Sequence, residues 1–467
     1  MFYTNKKPSY IGDSKIIFLN RGLNIKIKGA AAKSFFADTR IECFSVQPGN
    51  FNGIAPIPYI EVNIGDKVKA GDILFYDKKH AEIKFVSPVS GTVKNIVRGD
   101  RRSIKGVVVS ADSTLEYKKF NPPDFSSCDR NVLIDFMMES GLWPLIKQRP
   151  YNLIPNRNIV PKNIFISTFD SSPLAPDYDF IINGKSEEFQ KGIDVLLKLT
   201  DGKIYLGLNA NKSEKPSDIF VNASGVEKTY FKGPHPSGNV GVQVHHTAPI
   251  KAHDKIWVIG IQEVITIGKM FLSGIFDAER IIAVTGEEVL GTKYLKTFYG
   301  AEISGILKSC LKDEKCRVVS GNILHGQTKE YGDFLDIFDY QLSVISVGDY
   351  YEPFGWLIPR KTRPTFSMSF LSNWFKRNKK YNVDTNTHGQ ERAFVASGIY
   401  EQVLPMDIYP VYLIKSILSG DIERMEGLGI NELSEEDLAL CEFICPSKQE
   451  FMQILKEGHE MMIEQGF

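Results

Sequence analysis

The sequence predicts a multidomain protein of mixed α+β and α/β class that ends in a helical region. Three observations carry this prediction. Short β-branched runs separated by glycines fill residues 54–110, which is typical of strands joined by tight turns. Strand-like and helix-like segments alternate between residues 120 and 255, as they do in three-layer α/β domains. After residue 384 the patterns are mainly helical.

Length and composition narrow the class of protein. A chain of 467 residues exceeds the size at which one hydrophobic core stops growing, so two to four domains are expected. Its 56 acidic and 56 basic residues balance, which argues against nucleic acid as the main partner. The N-terminus lacks the apolar core of a secretory signal, and no run of some 18 apolar residues predicts a membrane span. Six cysteines are too few for a disulfide framework and fit a reducing cytosol.

The glycine-rich β region carries V-x-x-G-D-x-V-x-x-G-x-x-L over residues 62–74, followed by S-P-V-S-G-T-V over residues 87–93. This pattern resembles the biotinyl/lipoyl barrel-sandwich fold. In lipoyl carriers the modified lysine lies seven residues before that serine, and His80 stands there in this chain. Lys78 and Lys79 are out of register, and a shift of one strand residue reverses the side-chain direction. The sequence therefore favours a structural use of the fold over carriage of biotin or lipoate.

The region after residue 120 predicts a three-layer α/β domain with a mainly parallel sheet. Its predicted elements are a helix over 130–139, strands over 164–168, 180–184 and 203–209, and a helix across 185–199. If residues 240–246 form a strand, His245 and His246 point to opposite faces, and at most one of them serves any site. Residues 233–238 lack the Lys-Ser/Thr ending of a P-loop and are interpreted as a turn.

The segments Ala283–Gly286, Tyr294–Gly300 and Ile303–Leu307 resemble the β-grasp-like SLBB module, which usually recognises a partner or ligand. An ordinary small α+β domain explains the same pattern equally well. Beyond it, helices over 406–419, 434–441 and 448–466 predict a C-terminal bundle, and Ser434-x-x-Asp437 is a capping-box pattern.

Cys441 and Cys445 keep the final C-x₃-C-P of a bacterial-type iron–sulfur sequence. Glu435 and Leu438 stand where the first two cysteines of that sequence belong, so we predict no iron–sulfur cluster. A zinc site completed by distant histidines is the alternative, but none of the eight histidines has a typical ligand spacing. We therefore interpret both cysteines as leftover core residues.

Residues 360–380 contain seven basic residues, no acidic residue and four aromatic ones. One interpretation is a solvated loop with a few buried aromatics. The other is a docking segment for a membrane partner or anionic headgroups. The candidate docking residues are Arg360, Lys361, Trp374, Phe375, Lys376 and Arg377.

Taken in order, several stretches resemble the NqrA subunits of Na⁺-translocating NADH:quinone oxidoreductases over nearly the whole chain. These stretches are residues 21–29, 149–151, 233–238, 354–359, 389–393 and 437–441. The resemblance implies a peripheral subunit on the cytoplasmic side of the bacterial inner membrane, in a six-subunit translocase that oxidises NADH, reduces ubiquinone and exports Na⁺. It also implies that NADH, FAD, FMN and iron–sulfur clusters belong to other subunits, including a membrane-embedded partner, and that this chain binds none of them.

The domain boundaries follow from these segments. We expect a barrel-sandwich domain within 1–115, a degenerate flavin-binding-like α/β domain over 116–256, an SLBB-like domain with the basic segment over 257–383, and the helical bundle over 384–467.

The scaffold is also distantly similar to the flavin-bearing subunit of complex I and to the RnfC subunits. Those subunits bind FMN and NADH with a glycine-rich loop, where this chain has Gly141-Leu-Trp-Pro-Leu145. Trp143 replaces small residues that would let a phosphate approach the backbone. One interpretation is that Trp143 fills the former flavin space. Another is that Trp143, Arg149 and Tyr151 line a ubiquinone site in the old pocket. A stand-alone flavin-dependent oxidoreductase is the rival function.

Overall fold

The computed structural model describes residues 6–37, 39–251, 253–312, 315–351, 364, 366, 380–395 and 397–466. In this part of the chain the strands are β1 (Ile16–Phe18), β2 (Ala32–Phe35), β3 (Cys43–Val46), β4 (Tyr59–Ile60), β5 (Lys67–Val68), β6 (Ile73–Tyr76), β7 (Lys84–Val86), β8 (Gly91–Arg98), β9 (Ile104–Ala111), β10 (Lys147–Arg149), β11 (Asn163–Ser167), β12 (Lys203–Asn209), β13 (Val226–Lys232), β14 (Ile256–Val258), β15 (Glu279–Thr285), β16 (Lys293–Phe298), β17 (Cys316–Ser320), β18 (Gln327–Lys329) and β19 (Gln341–Ser346).

The α-helices of the same residues are α1 (Arg130–Glu139), α2 (Tyr178–Ile181), α3 (Ser186–Leu197), α4 (Asp218–Asn222), α5 (Val240–Thr247), α6 (Ile261–Ser273), α7 (Ile303–Leu307), α8 (Pro410–Leu418), α9 (Ile422–Gly427), α10 (Glu435–Ile444) and α11 (Phe451–Glu464). Within the described ranges, none of these helices has the length and apolar character needed to cross a membrane.

The barrel-sandwich region consists of two small antiparallel sheets, β3-β9-β8-β5 and β4-β6-β7. The inward-facing side chains of both sheets, among them Leu74, Phe85 and Val107, are almost completely buried. His80 lies in the loop between β6 and β7, together with Lys78 and Lys79, and all three are exposed. None of these three residues is on a strand. The expectation that their side chains alternate between two faces of a strand is therefore wrong.

The α/β region has a six-stranded sheet in the order β1-β13-β12-β11-β14-β10, parallel except for β10. Helices α3 and α6 cross very closely, because both have a glycine at the crossing. A methyl group on Gly192 would lie 2.2 Å from the carbonyl oxygen of Val264, and one on Gly268 would lie 1.8 Å from that of Glu188. The predicted helices over 130–139 and 185–199 and the strands over 164–168 and 203–209 are confirmed within two residues at each end.

One predicted strand in this region is wrong, and one strand that was considered as a condition is a helix. Residues 178–181 form helix α2 instead of part of a strand, because Asp177 caps the turn by accepting a hydrogen bond from the N–H of Asp179. Residues 240–247 form helix α5, although the alternating valines imitate a strand, because α5 packs against β11 and buries Gly241–Val244. His245 and His246 are therefore neighbours on a helix end, with ring centroids 5.2 Å apart.

The third sheet has the order β18-β17-β19-β15-β16-β2 and carries α7 after β16. Strands β1 and β2 connect two of the sheets. Strand β1 pairs with β13 of the α/β sheet, and β2 pairs with β16 of the third sheet. The proposed domain boundaries stay a prediction.

The C-terminal helices α8 to α11 surround a separate core that includes Tyr400, Leu413 and Phe451. The predicted capping box is present: Ser434 accepts from the N–H of Asp437, and the Asp437 side chain accepts from the N–H of Ser434. The first turn of α10 places Glu436 and Asp437 beside Arg149 of the α/β sheet.

Candidate functional site

A cavity of about 220 Å³ lies at the carboxyl edge of the parallel sheet, where β11 and β14 end and α5 and α6 begin. This edge is where open α/β sheets usually bind ligands. The third sheet and the first turn of α10 close the cavity from the other sides. Its charged wall residues are Lys147, Arg149, Asp170, Glu263, Asp339 and Glu436. Its aromatic wall residues are Phe169, Tyr178, Phe338 and Tyr340.

Arg149 joins the α/β sheet to helix α10. It ends strand β10 and is 3% exposed. One terminal nitrogen, Nη2, donates to Glu436 Oε1 at 2.8 Å and to Ser434 Oγ at 3.0 Å. The other, Nη1, lies 3.7 Å from Asp437 Oδ2. Across the same junction, the Asn239 side chain donates to the carbonyl oxygen of Glu436 at 3.0 Å.

Protonation of the two carboxyl groups around Arg149 follows from their surroundings. Burial alone would raise the pKa of Glu436, but the positive charges of Arg149, His325 and Lys147 outweigh it and hold the pKa below the usual range. Burial raises the pKa of Asp437 to about 6 against the opposing effect of Arg149. Glu436 is therefore the ionised partner of Arg149, and Asp437 exchanges its proton near neutral pH.

A second buried network forms the opposite wall. Glu263, 1% exposed on α6, pairs with Arg280 of β15 at 3.2 Å and accepts a short hydrogen bond from the hydroxyl of Tyr340. Arg280 also donates to Thr266 Oγ1 at 2.9 Å. Burial, reinforced by the charge of Glu263, raises the pKa of Tyr340 well above its usual value. Tyr340 therefore stays neutral and fixes α6 against the third sheet.

Two more carboxyl groups in the wall retain protons more easily than free ones. Burial raises the pKa of Asp339 to about 6, and the neighbouring Asp336 adds to that effect. Burial also raises the pKa of Asp170, whose oxygens accept from the N–H and hydroxyl of Ser172 at 2.7 and 2.8 Å. The cavity therefore combines aromatic walls with groups that can give or take a proton close to neutral pH.

Trp143 lies behind the cavity and is completely buried. Its indole N–H donates to the carbonyl oxygen of Pro155 at 2.9 Å, and its ring meets Trp257 edge to face with centroids 5.3 Å apart. Gly141, two residues earlier, has φ +76°, so the chain turns sharply into this position. Trp143 thus fills space between the α/β sheet and the loop that follows it.

Tyr151 lies on the other side of Arg149, among the C-terminal helices. Its hydroxyl donates to Asn431 Oδ1 at 2.7 Å, and its ring contacts the ring of His459. Burial raises its pKa to about 12. Of the three residues predicted to form a quinone site, Arg149 is the one that the described part of the chain places in the cavity wall.

The chain matches three family models. Residues 17–112 match the NqrA N-terminal barrel-sandwich hybrid domain. Residues 128–276 match the NqrA second alpha/beta domain. Residues 281–330 match an SLBB model that is described as the NQRA C-terminal domain. It is 36% identical over 454 residues to the corresponding Na⁺-translocating NADH-quinone reductase subunit of Saccharophagus degradans, covering 97% of this chain and 100% of that protein. This chain belongs to the NqrA family of Na⁺-translocating NADH-quinone reductase subunits. The barrel-sandwich and SLBB resemblances and the predicted fold class are confirmed.

Other NqrA-family proteins show the same full-length match. Those of Neisseria meningitidis serogroup B and Vibrio campbellii are 35% and 34% identical, each covering 97% of this chain and all of the relative. An NAD⁺-reducing NiFe hydrogenase in the air-oxidized state superposes with a TM-score of 0.37 and 10% identity, over 75% of this chain and 67% of that chain. The full-length relatives are named as one subunit of a translocating reductase.

In this member of the NqrA family, Cys441 and Cys445 are buried in the C-terminal core. The hydroxyl of Tyr400 lies 3.1 Å from Cys445 Sγ, and burial raises the pKa of Cys441. Such a thiol stays protonated and is a poor metal ligand. Within the described ranges, no cluster of three or more His, Cys, Asp or Glu side chains is arranged to hold a metal ion.

The predicted docking residues Arg360, Lys361, Trp374, Phe375, Lys376 and Arg377 lie outside the described residues. Their docking role stays a prediction.

Sequence reasoning missed Lys147, Glu263, Tyr340 and Glu436, which line the cavity beside Arg149. Glu436 carried a signal, because it lies inside the predicted capping box and next to its aspartate. Glu263 and Tyr340 carried none, since a single acid in an apolar helix and a tyrosine before a strand are ordinary sequence features.

Proposed function

We propose that this chain sits peripherally on the cytoplasmic side of the membrane and supports assembly of the reductase, while NADH and the redox cofactors are bound by other subunits. The observation that supports this role most directly is the position of Trp143. Flavin-bearing relatives of the scaffold have small residues there, whereas here a fully buried indole is hydrogen-bonded to Pro155 and packed against Trp257. A phosphate cannot approach a backbone that is already covered by a large ring.

The two buried ion-pair networks support the same proposal. Arg149 connects the α/β sheet to α10, and Glu263 with Arg280 connects α6 to the third sheet. Buried pairs of this kind fix one arrangement of the parts that they join, because separating them leaves unpaired charges. A rigid multidomain body with defined outer surfaces is what an assembly role requires.

The full chain purified alone should be colourless, without stoichiometric FMN, iron or NADH dehydrogenase activity, and should co-purify with tagged partner subunits when they are co-expressed. A visible spectrum, flavin and iron analysis and gel densitometry measure this. A stoichiometric flavin with NADH oxidation by the isolated chain would instead support a stand-alone flavin-dependent oxidoreductase.

A second proposed function is participation in the ubiquinone end of electron transfer that is coupled to Na⁺ export. The four aromatic wall residues of the cavity support this candidate, because they offer flat apolar faces to a quinone ring, and the charged wall residues can meet its carbonyl oxygens. Arg149 and the proton-exchanging Asp339 and Asp437 supply a cation and protons at or beside that cavity. On this proposal Arg149 acts without Trp143 and Tyr151, which contact other residues.

A photoreactive ubiquinone analogue added to the assembled complex should label this chain on peptides that line the cavity, and excess unlabelled ubiquinone should suppress the labelling. Labelling confined to other subunits, at ligand concentrations that saturate turnover, would rule out a quinone site in this chain.

A further inference from the structure

A groove lined by aromatic rings and by the charged side chains of Asp124 and Lys191 lies at the C-terminal end of α6. Its volume is about 430 Å³. We call it the phenylalanine groove, since its walls are formed by Phe120, Phe125 and Phe271 with Pro122, Pro123 and Leu272. The barrel-sandwich and α/β regions meet through the segment that forms one side of it.

The rings around the groove form a connected surface cluster. Phe136 of α1 lies 6.4 Å from Phe120 and 5.4 Å from Phe271, and Phe125 lies 6.4 Å from Phe271, all nearly edge to face. Each ring is only half-buried, and Leu272 at the rim is 41% exposed. A contiguous aromatic patch of this kind on a protein surface marks an interaction site more often than scattered exposed side chains do.

Hydrogen bonds fix the loop that forms one wall of the groove. The N–H of Phe120 donates to the carbonyl oxygen of Gly274 at 2.8 Å. Asp124 accepts from the N–H and hydroxyl of Ser126 and from the hydroxyl of Ser127, which lowers the pKa of Asp124. The binding surface is therefore formed in advance, which reduces the entropy lost when a partner docks.

Positive charge surrounds the rings. Lys118 lies 5.0 Å above the ring of Phe120 and Lys191 lies 4.6 Å above that of Phe125. Lys198 donates to the carbonyl oxygen of Ser126 in the same loop. The carboxylate of Asp124 keeps its negative charge, but the ammonium groups of Lys118, Lys191 and Lys198 around these rings outnumber it, so the rim favours an acidic partner.

We propose that the phenylalanine groove docks a segment of another subunit of the reductase, with an apolar side chain in the groove and an acidic residue facing Lys118 or Lys191. This inference rests on the proposed assembly function. A protein segment fits better than a lipid surface, because the rings line a recess and hold one another edge to face, whereas membrane insertion needs side chains that protrude.

The test uses the complete complex, tagged on another subunit, with variants of this chain. Leu272→Glu should reduce the fraction of this chain retained on the complex by about tenfold, because a negative charge then replaces the exposed apolar side chain at the rim of the groove. Lys191→Glu should also reduce retention, and more strongly at low salt, where charge repulsion is least screened. Ile463→Glu is the matched control: Ile463 is also 41% exposed and also lies in the last turn of a helix, α11. Thermal unfolding of each isolated chain checks that the variants are folded.

The experiment distinguishes a wrong assembly function from a wrong docking surface. If the parent chain does not co-purify at all, the assembly function is wrong. If the parent co-purifies and Leu272→Glu is retained as well as Ile463→Glu, the groove is not the docking surface. Vesicles of phosphatidylcholine with phosphatidylglycerol should bind the parent and Leu272→Glu chains equally. Vesicle binding that Leu272→Glu abolishes would overturn the protein-segment proposal in favour of a lipid surface.

Discussion

Replacing Arg149 by methionine is expected to lower the free energy of unfolding by about 2–4 kcal/mol, because it leaves the half-buried Glu436 carboxylate and the buried Asp437 carboxyl group without their cation. Arg149 is 3% exposed and bridges β10 and α10, so water cannot take over its role. Urea unfolding followed by circular dichroism measures the loss. The matched control is Lys162→Met, whose partner Asp254 is 2.7 Å away but whose side chain is 46% exposed, and this change should cost about 0–1 kcal/mol.

The loss at Arg149 should also depend on pH. Burial raises the pKa of Asp437 to about 6, so a folded Asp437 keeps its proton over a range where the unfolded one has lost it. The stability contributed by that proton is present below the unfolded pKa and is lost as the pH rises through about 6. Without Arg149 the pKa of Asp437 rises further and the pKa of Glu436 rises from its low value, since their cation is gone. The cost of Arg149→Met should therefore be larger at pH 8 than at pH 5.

A triple variant provides the second control. Adding Glu436→Gln and Asp437→Asn to Arg149→Met removes the stranded charges and should recover part of the lost stability. If the single variant is as stable as the parent chain at pH 8, the ion pair does not stabilise the junction between β10 and α10. The proposal of a rigid multidomain body is then wrong at this junction.

Much of the fold was predictable because its signals are local. Gly65 and Gly71 mark the turns of the barrel-sandwich domain and both have positive φ values. The capping box of Ser434 and Asp437 located the start of α10 within one residue. The same reasoning fails for two segments whose apolar residues fit a strand. Residues 178–181 form a helix because of the Asp177 cap, and residues 240–247 form one because they pack against β11.

The cavity could not be assembled from sequence. Arg149 and Glu436 are 287 positions apart, and Glu263 and Tyr340 are 77 positions apart, so their contacts depend on how the domains pack. Sequence patterns report which residues share one helix or strand, and they carry no information on which helix end meets which sheet edge. For this reason the sequence could not show that, of the three predicted quinone residues, only Arg149 lines the cavity.

Replacing Trp143 by alanine is expected to lower the free energy of unfolding by about 3–5 kcal/mol, the usual range for removing a buried indole. The ring is completely buried, and its loss also removes the hydrogen bond to Pro155 and the edge-to-face contact with Trp257. Trp143→Phe keeps most of the volume and should cost about 1–3 kcal/mol, chiefly for the unpaired Pro155 carbonyl. Urea unfolding at neutral pH compares both variants with the parent chain.

Added indole distinguishes a space-filling role from a global effect of Trp143→Ala. An apolar cavity left inside a packed protein can bind a ligand of matching shape, so indole should raise the midpoint of thermal unfolding of Trp143→Ala in a concentration-dependent way. The parent chain and Trp143→Phe should not respond to indole, because an aromatic ring at position 143 already occupies the space. Absence of any indole response in a folded Trp143→Ala chain, or a cost below about 1 kcal/mol, would mean that the loop collapses into the gap. In that case Trp143 does not determine the shape of the space between the α/β sheet and the loop that follows it.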